Sequence, residues 1–442
     1  MKSYFFSPSR MILLSMAFAI IAGTALLMLP QATYLPINFI DLLFTSTSCV
    51  CVTGLSTIPF ESFTPFGHTI LLILIQIGGL GLITLTLFLF SLFTNLGLAT
   101  QVMTGEMFDL ESWKGTKQLL IFIIVVTALC ELIGTYFIYQ TLKIHFDPSN
   151  ALFYSLFHAV SAFCNAGIYP LDVLMNICAH SYSMLIVTSI LTILGGIGFI
   201  TLKELYRTYI YSAHHEQRMT LTLQTRIILS YSFVLSLGST LIFWLLERYH
   251  CLASLTPSHQ LLTSLFTSIT TRSAGFFAIP VVCMQQASLF IIMVNSFIGA
   301  APGSTGSGIK ITTAALLIAT INTAIQGKTA VNIKGRRIMK DQIYKALAVV
   351  ALGIAWILIV TFFLLITEQG WQFIDILFEA TNAFTNLGAT LGVTPYLSTL
   401  GKLLIMVTMF AGRIGSLTLM IALRKREEKN EFLFPEERVM IS

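Results

Sequence analysis

The sequence predicts an all-α integral membrane protein made of four tandem repeats, each a helix, a short re-entrant helix and a second helix, set around a pseudo-fourfold pore. Three observations carry this. The 442 residues hold only 25 Lys+Arg and 20 Asp+Glu, 10% of the chain, while 55% is apolar. Soluble domains carry roughly a quarter charged residues, and so few charges could not cover a water-facing surface without leaving large apolar patches. Apolar stretches long enough to span a bilayer alternate with shorter ones, and one glycine-centred motif recurs four times.

The first stretch, 11–29, follows Lys2 and Arg10 and could imitate a secretory signal, but it exceeds the ~7–15 apolar residues of a signal core and reaches spanning length. Seven more spans are expected at 67–94, 118–141, 181–205, 226–247, 286–323, 344–366 and 400–423, making eight transmembrane helices. Between paired spans lie runs at 38–50, 150–162, 259–271 and 373–384, too short to cross and expected to be re-entrant. The units are repeat 1 at 1–95, repeat 2 at 96–211, repeat 3 at 212–327, repeat 4 at 328–423, and a tail at 424–442. If each unit enters and leaves on one side, basic residues should gather on that side. Nineteen of the 25 Lys and Arg do lie at 1–10, 95–117, 203–226, 328–345 and 424–442. Both termini are therefore expected to be cytoplasmic.

The re-entrant runs end in CVCVTGLS (49–56), FCNAGIYP (163–170), TRSAGFFA (271–278) and FTNLGATL (384–391), with glycines 54, 167, 275 and 388 spaced by 113, 108 and 113 residues. Asp41 and Asp375 each stand 13 residues before their glycine, where a carboxylate opposes the positive end of a short helix. Small-residue clusters follow at 78–81, 195–198, 299–303 and 412–415. They read either as close helix packing or as positions lining a shared axis.

Four short helices entering from outside would aim their negative C-terminal ends at the membrane centre and favour a cation there. Non-helical backbone at that depth is allowed only where it is buried or faces water, so its carbonyls could replace the hydration shell of a bare ion. Glycine permits the φ > 0 conformations that turn successive carbonyls one way. The expected ligand segments are Val52, Thr53 and Gly54; Asn165, Ala166 and Gly167; Ser273, Ala274 and Gly275; and Asn386, Leu387 and Gly388. With no ring of carboxylates among them, a monovalent ion fits better than a divalent one.

These motifs are similar to those of the potassium-translocating subunit of the Ktr/Trk superfamily, the KtrB type in particular. VCVTGL at 50–55, the AGF of 274–276, FIGAAPGSTGSGIKITT at 297–313 and GRIGSLTL at 412–419 carry the resemblance, which covers nearly the whole chain. It implies potassium uptake across the cytoplasmic membrane, a homodimer, and a cytosolic ring of nucleotide-binding regulatory subunits of the KtrA/TrkA type. It implies K+ as the transported ion with Na+ as a candidate activator, and no organic cofactor. Glycine in all four segments resembles the potassium-selective members. TNLGAT at 385–390 departs from the TVGLS-like string of the family, so a sodium-coupled or weakly selective K+/Na+ transporter stands as the alternative.

Segment 286–323 is 38 residues long, about 57 Å as one helix and nearly twice the hydrocarbon thickness. Pro302 and the glycines must break it. The loop Gly299–Gly308, with Pro302, Gly303, Ser304, Thr305, Gly306 and Ser307, is expected beneath the ligand segments, and the resemblance makes it a gate. Its glycines imitate a phosphate-binding loop, but Ile309 separates Gly308 from Lys310 and no strand precedes it. Lys310 and Arg413 are ionisable at membrane depth and so count as functional candidates; Arg413 is expected to reach the loop carbonyls, and Arg272 to pair with Asp375 or Glu379.

Other classes fit less well. The basic residues are spread between apolar runs rather than gathered on one face, which argues against nucleic-acid binding. The eight histidines (68, 145, 158, 180, 214, 215, 250 and 259) show no HExxH-like spacing for an enzyme, and the seven cysteines show no CxxC pair, so buried thiols are expected. His158 reads as a satisfied core histidine. An inverted-repeat carrier predicts halves of opposite topology, whereas the basic residues give all four repeats one orientation. The basic linkers and the tail are candidate docking surfaces for a regulatory ring or for anionic lipid headgroups.

Overall fold

The computed structural model describes residues 8–81, 116–211, 220–328 and 330–415. Repeat 1 comprises α1 (Pro8–Leu27), α2 (Phe39–Cys51) and α3 (Pro65–Leu80). Repeat 2 comprises α4 (Thr116–Leu142), α5 (Pro148–Cys164), α6 (Asp172–His180), α7 (Tyr182–Gly196) and α8 (Phe199–Leu205). Repeat 3 comprises α9 (Leu223–Glu247), α10 (Pro257–Thr270), α11 (Gln286–Phe297) and α12 (Ile311–Ile325). Repeat 4 comprises α13 (Lys340–Thr367), α14 (Phe373–Thr385) and α15 (Thr399–Ile414).

Helix starts follow local chemistry. Pro65, Pro148 and Pro257 occupy first-turn positions, where the missing N–H costs nothing. Thr64 and Ser398 cap α3 and α15 alike, each hydroxyl accepting from a backbone N at 3.1 Å, that of Gly67 and that of Gly401. α11 has no side-chain cap of its own. There the buried Glu247 carboxylate accepts from the Gln285 N–H at 2.9 Å and from the Ser288 hydroxyl.

The packing is cyclic. In each repeat the first helix lies on its own short helix: α1 on α2, α4 on α5, α9 on α10, α13 on α14. The helix after each short helix then packs on the short helix of the next repeat: α3 on α5, α7 on α10, α11 on α14, and α15 back on α2. The small-residue clusters make that approach possible. A Cβ on Gly78 would lie 2.2 Å from the Val50 carbonyl oxygen, one on Gly195 1.9 Å from that of Phe163, and one on Gly412 1.8 Å from that of Phe384. Each of these carbonyls stands four residues before its repeat's glycine, so in repeats 1, 2 and 4 close packing is what the clusters do.

Among the described residues, Gln118–Leu142, Leu223–Glu247 and Lys340–Thr367 are long and apolar enough to cross a membrane. The pair Asp172–His180 and Tyr182–Gly196, bent by 105°, is a fourth candidate. Leu132, Phe233 and Phe362 on the long helices are 63%, 66% and 60% exposed, surfaces that suit lipid rather than water.

Three expectations need correction. The stretches expected as single spans at 67–94, 181–205 and 400–423 are not continuous helices, because α3, α7 and α15 stop at their glycine clusters. Gly81, Gly198 and Gly415 there have φ of 80°, 93° and 91°, which a helix cannot contain. Residues 82–94 and 416–423 lie outside the described residues. The short helix α6 was not expected. Nor is the chain wholly α: Asn332–Ile333 pairs with Arg336–Arg337 in a small antiparallel hairpin, turned by Lys334 and Gly335 at φ of 47° and 80°, the mirror-type turn that suits strand twist.

Candidate functional site

The four glycines meet. Gly54, Gly167, Gly275 and Gly388 all have positive φ, from 65° to 90°. A Cβ on Gly54 would lie 2.4 Å from the Ala166 oxygen of repeat 2, and one on Gly167 2.3 Å from the Ala274 oxygen of repeat 3. One on Gly275 would lie 1.6 Å from the Leu387 oxygen of repeat 4, and one on Gly388 2.3 Å from the Thr53 oxygen of repeat 1. Each repeat thus sets the carbonyl before its own glycine against the glycine of its neighbour, and the circuit closes. Every position in this circuit excludes a side chain twice, by conformation and by contact.

The segments leave their helices through a tight left-handed step. Val52, Asn165 and Asn386, each two residues before a ring glycine, have φ of 58°, 60° and 54°. For a β-branched residue such as Val52 this is a genuine outlier, held by its N–H to the Cys49 carbonyl and by the next N–H to that of Ser48. Repeat 3 differs: Ser273, at the equivalent position, is not left-handed, and the Thr270 carbonyl accepts from both Ala274 and Gly275. Among the described residues, no carbonyl of 52–54, 165–167, 273–275 or 386–388 accepts a protein hydrogen bond.

Sequence reasoning missed the side chains that brace these segments. Ser48 Oγ accepts from the Gly54 N–H at 3.1 Å, Ser161 Oγ accepts from the Ile168 N–H at 3.0 Å, and the Asn382 amide donates to the Ala389 carbonyl at 3.1 Å. Ser48, Ser161 and Asn382 all stand six residues before their glycine, a polar register that the aligned repeats display; repeat 3 has Ile269 there. Glu379, fully buried, accepts from Thr390 Oγ1 at 2.9 Å and from the Thr394 hydroxyl, tying α14 to the segment after Gly388.

Beside the ring lies the loop 299–308, whose ladder of bonds runs from Gly299 N to the Ile309 carbonyl and from Ala300 N to that of Ser307. Repeat 2 anchors it: Ala301 and Thr305 donate to the Gly196 and Gly195 carbonyls at 3.0 and 3.1 Å, and Phe199 donates to that of Gly303 at 2.9 Å. These bonds fill the break between α7 and α8. Arg413 supplies the link from repeat 4. Its guanidinium donates to the Thr305 carbonyl and to Ser307 Oγ, and on its other side to the carbonyls of Gly78 and Gly79 in repeat 1. Lys310 Nζ donates to the Gly306 carbonyl at 2.9 Å.

The two asparagines join ring to loop, which carbonyl-based reasoning did not foresee. Asn165 donates to Thr305 Oγ1 at 2.6 Å and accepts from Ser273 Oγ at 3.2 Å. The Asn386 amide lies 2.6 Å from Thr53 Oγ1; with its oxygen toward Ser307 Oγ and the Arg413 N–H, at 3.2 and 3.1 Å, each of its polar groups finds a partner.

Arg272 meets neither Asp375 nor Glu379. It donates to Ser232 Oγ at 3.3 Å and lines a cavity of about 420 Å³ between α7, α9 and α10. Asp375 instead closes a capping box with Gln372, and Glu379 faces the threonines. Asp41, in the first turn of α2, pairs with Lys402 of repeat 4 at 2.7 Å and accepts from Thr57 at 2.7 Å. Nε2 of the buried His158 meets Thr188 Oγ1 at 2.8 Å while its Nδ1 has no partner among the described residues, so the expected core histidine is half satisfied there.

This geometry can be set beside known proteins. The model of the TrkH family, cation transport proteins, matches residues 10–433. The chain belongs to the TrkH family. It is thus a cation transporter and not an enzyme. This TrkH-family chain is 35% identical, over 96% of its length and 95% of the relative's, to the Ktr system potassium uptake protein B of Bacillus subtilis. It is 32% identical, over 98% and 97%, to the potassium/sodium uptake protein NtpJ of Enterococcus hirae. Its fold is similar to the crystal structure of the potassium transporter TrkH from Vibrio parahaemolyticus, with a TM-score of 0.71 at 17% identity, covering 94% of this chain and 85% of that one.

Proposed function

We propose that this TrkH-family chain takes up potassium across the cell membrane through the ring formed at Gly54, Gly167, Gly275 and Gly388. The carrying observation is the closed circuit of carbonyls against glycines, with twelve carbonyls of the four segments free of protein donors among the described residues. Such oxygens match a bare monovalent cation, and the C-terminal ends of α2, α5, α10 and α14 add negative dipole around it. The relatives named as potassium uptake proteins support this choice of ion.

In this reading the loop 299–308 is the gate and Arg413 its clasp, since one guanidinium ties the loop to repeats 1 and 4 while its charge opposes a passing cation. All four repeats run in one orientation, both termini are cytoplasmic, and uptake is downhill, driven by the membrane potential at about 2.3 kcal/mol per charge per 100 mV. A second copy of the chain and a cytosolic nucleotide-binding ring complete the assembly, the ring docking on the basic linkers. The test is flux into vesicles containing the purified chain, alone and with its regulatory subunit. Potassium entry that exceeds sodium entry supports the reading. Entry no faster than in empty vesicles under both conditions sinks it, and equal entry of the two ions makes the chain a weakly selective transporter instead.

A further inference from the structure

Away from the ring, one group of unlike donors converges at the loop that follows α9. The ligand atoms of Glu247, His250 and Cys251 all lie within 4.8 Å of one another. Glu247 is 2% exposed, and its Oε1 is engaged by Gln285 and Ser288. Its Oε2 is turned to His250 Nδ1 at 3.3 Å, and that nitrogen lies 3.1 Å from Cys251 Sγ. An ion pair three residues apart would explain the carboxylate and the imidazole. It does not explain why a thiol approaches the same nitrogen.

Carboxylate oxygen, imidazole nitrogen and thiolate sulfur together form the donor set of a borderline-soft divalent ion. Magnesium and calcium would want oxygens throughout. A tetrahedral site with metal–ligand distances of about 2.0–2.3 Å places its donors roughly 3.2–3.8 Å apart, so the two observed separations need little adjustment. We propose that Glu247, His250 and Cys251 bind a zinc-class divalent cation, with the fourth position left to water. Binding replaces the thiol proton, which passes to solvent, and so releases the hydrogen bond that Cys251 donates to the Cys283 carbonyl. Cys283 belongs to the loop after Gly275, so occupancy is felt by the chain that carries the third ring segment.

The test is titration of the purified full chain in detergent with cadmium ion, followed by the ultraviolet absorption of the cadmium–thiolate bond and by competition with zinc. One cadmium per chain is expected, displaced by zinc. Cys251→Ser should abolish the absorption, and His250→Ala, at an exposed position, should weaken binding at least tenfold. Cys283→Ser leaves the three donors in place and should bind as the parent does. Absence of saturable absorption, or undiminished absorption in Cys251→Ser, would overturn the assignment. So would loss of binding in Cys283→Ser, since the metal would then lie between the two cysteines.

Discussion

Gly54 shows how much one hydrogen atom decides. Its φ of 90° and the Ala166 oxygen at 2.4 Å from any added Cβ mean that Gly54→Ser must move a carbonyl of the neighbouring repeat. We expect potassium-over-sodium preference to fall about tenfold, some 1.4 kcal/mol of discrimination, in paired flux measurements on inserted protein; unchanged preference would place the ion's ligands elsewhere. Arg413 acts at the same scale through charge. A unit charge at ~8 Å opposes a cation by about 2 kcal/mol at an effective dielectric near 20. Arg413→Gln should therefore raise potassium flux more than tenfold, whereas a merely structural arginine would give poorly folded protein and less flux. Glycine recurrence made the ring residues legible in the sequence. Asn165 was not legible as a brace, because its amide acts on partners 140 and 108 positions away, Thr305 and Ser273, in repeat 3.

Between elements, the loop 299–308 is held by repeats 2 and 4 rather than by its own repeat alone. Removing Ser304–Ser307 takes away the acceptors and donors that Asn165, Gly195 and Arg413 use there. Flux through vesicles should rise in that deletion, and flux equal to the parent's would remove the loop from the conduction path. Glu379 tests the bracing of the fourth segment. Glu379→Leu removes the acceptor of the Thr390 and Thr394 hydroxyls, of which that of Thr394 is fully buried, a loss of about 1–3 kcal/mol for a buried polar group left unpaired. Thermal unfolding should move down by several degrees, while Glu379→Gln, which still accepts, should move less. The break in the long stretch 286–323 was visible from Pro302 and from length alone. The breaks after α3, α7 and α15 were not, since glycines inside an apolar run read equally as packing positions. The structure shows both uses side by side: the Val50, Phe163 and Phe384 carbonyls press on Gly78, Gly195 and Gly412, and the positive φ of Gly81, Gly198 and Gly415 makes the breaks.

For the whole molecule, cyclic packing would make an ion held at the proposed ring part of the fold. An ion that binds only the closed ring stabilises it by mass action, about 2.7 kcal/mol at a hundredfold excess over its dissociation constant. Potassium chloride should therefore raise the unfolding temperature of the purified chain above that in sodium chloride at equal ionic strength. Equal temperatures would argue against a selective site. The Asp41–Lys402 pair, which ties repeat 1 to repeat 4, contributes to the same closure from the chain's two ends.

The sequence by itself determined the membrane class, the four repeats and their glycines, because composition, period and conformational permission are local properties that need no partner. Tertiary structure decided what the polar side chains do. Arg413, Asn165, Asn386 and Lys402 each had several unsatisfied carbonyls, hydroxyls or carboxylates within the repertoire of their chemistry. Which of these lay within hydrogen-bonding distance followed from how four similar repeats pack in a circle, and no single repeat's sequence contains that circle.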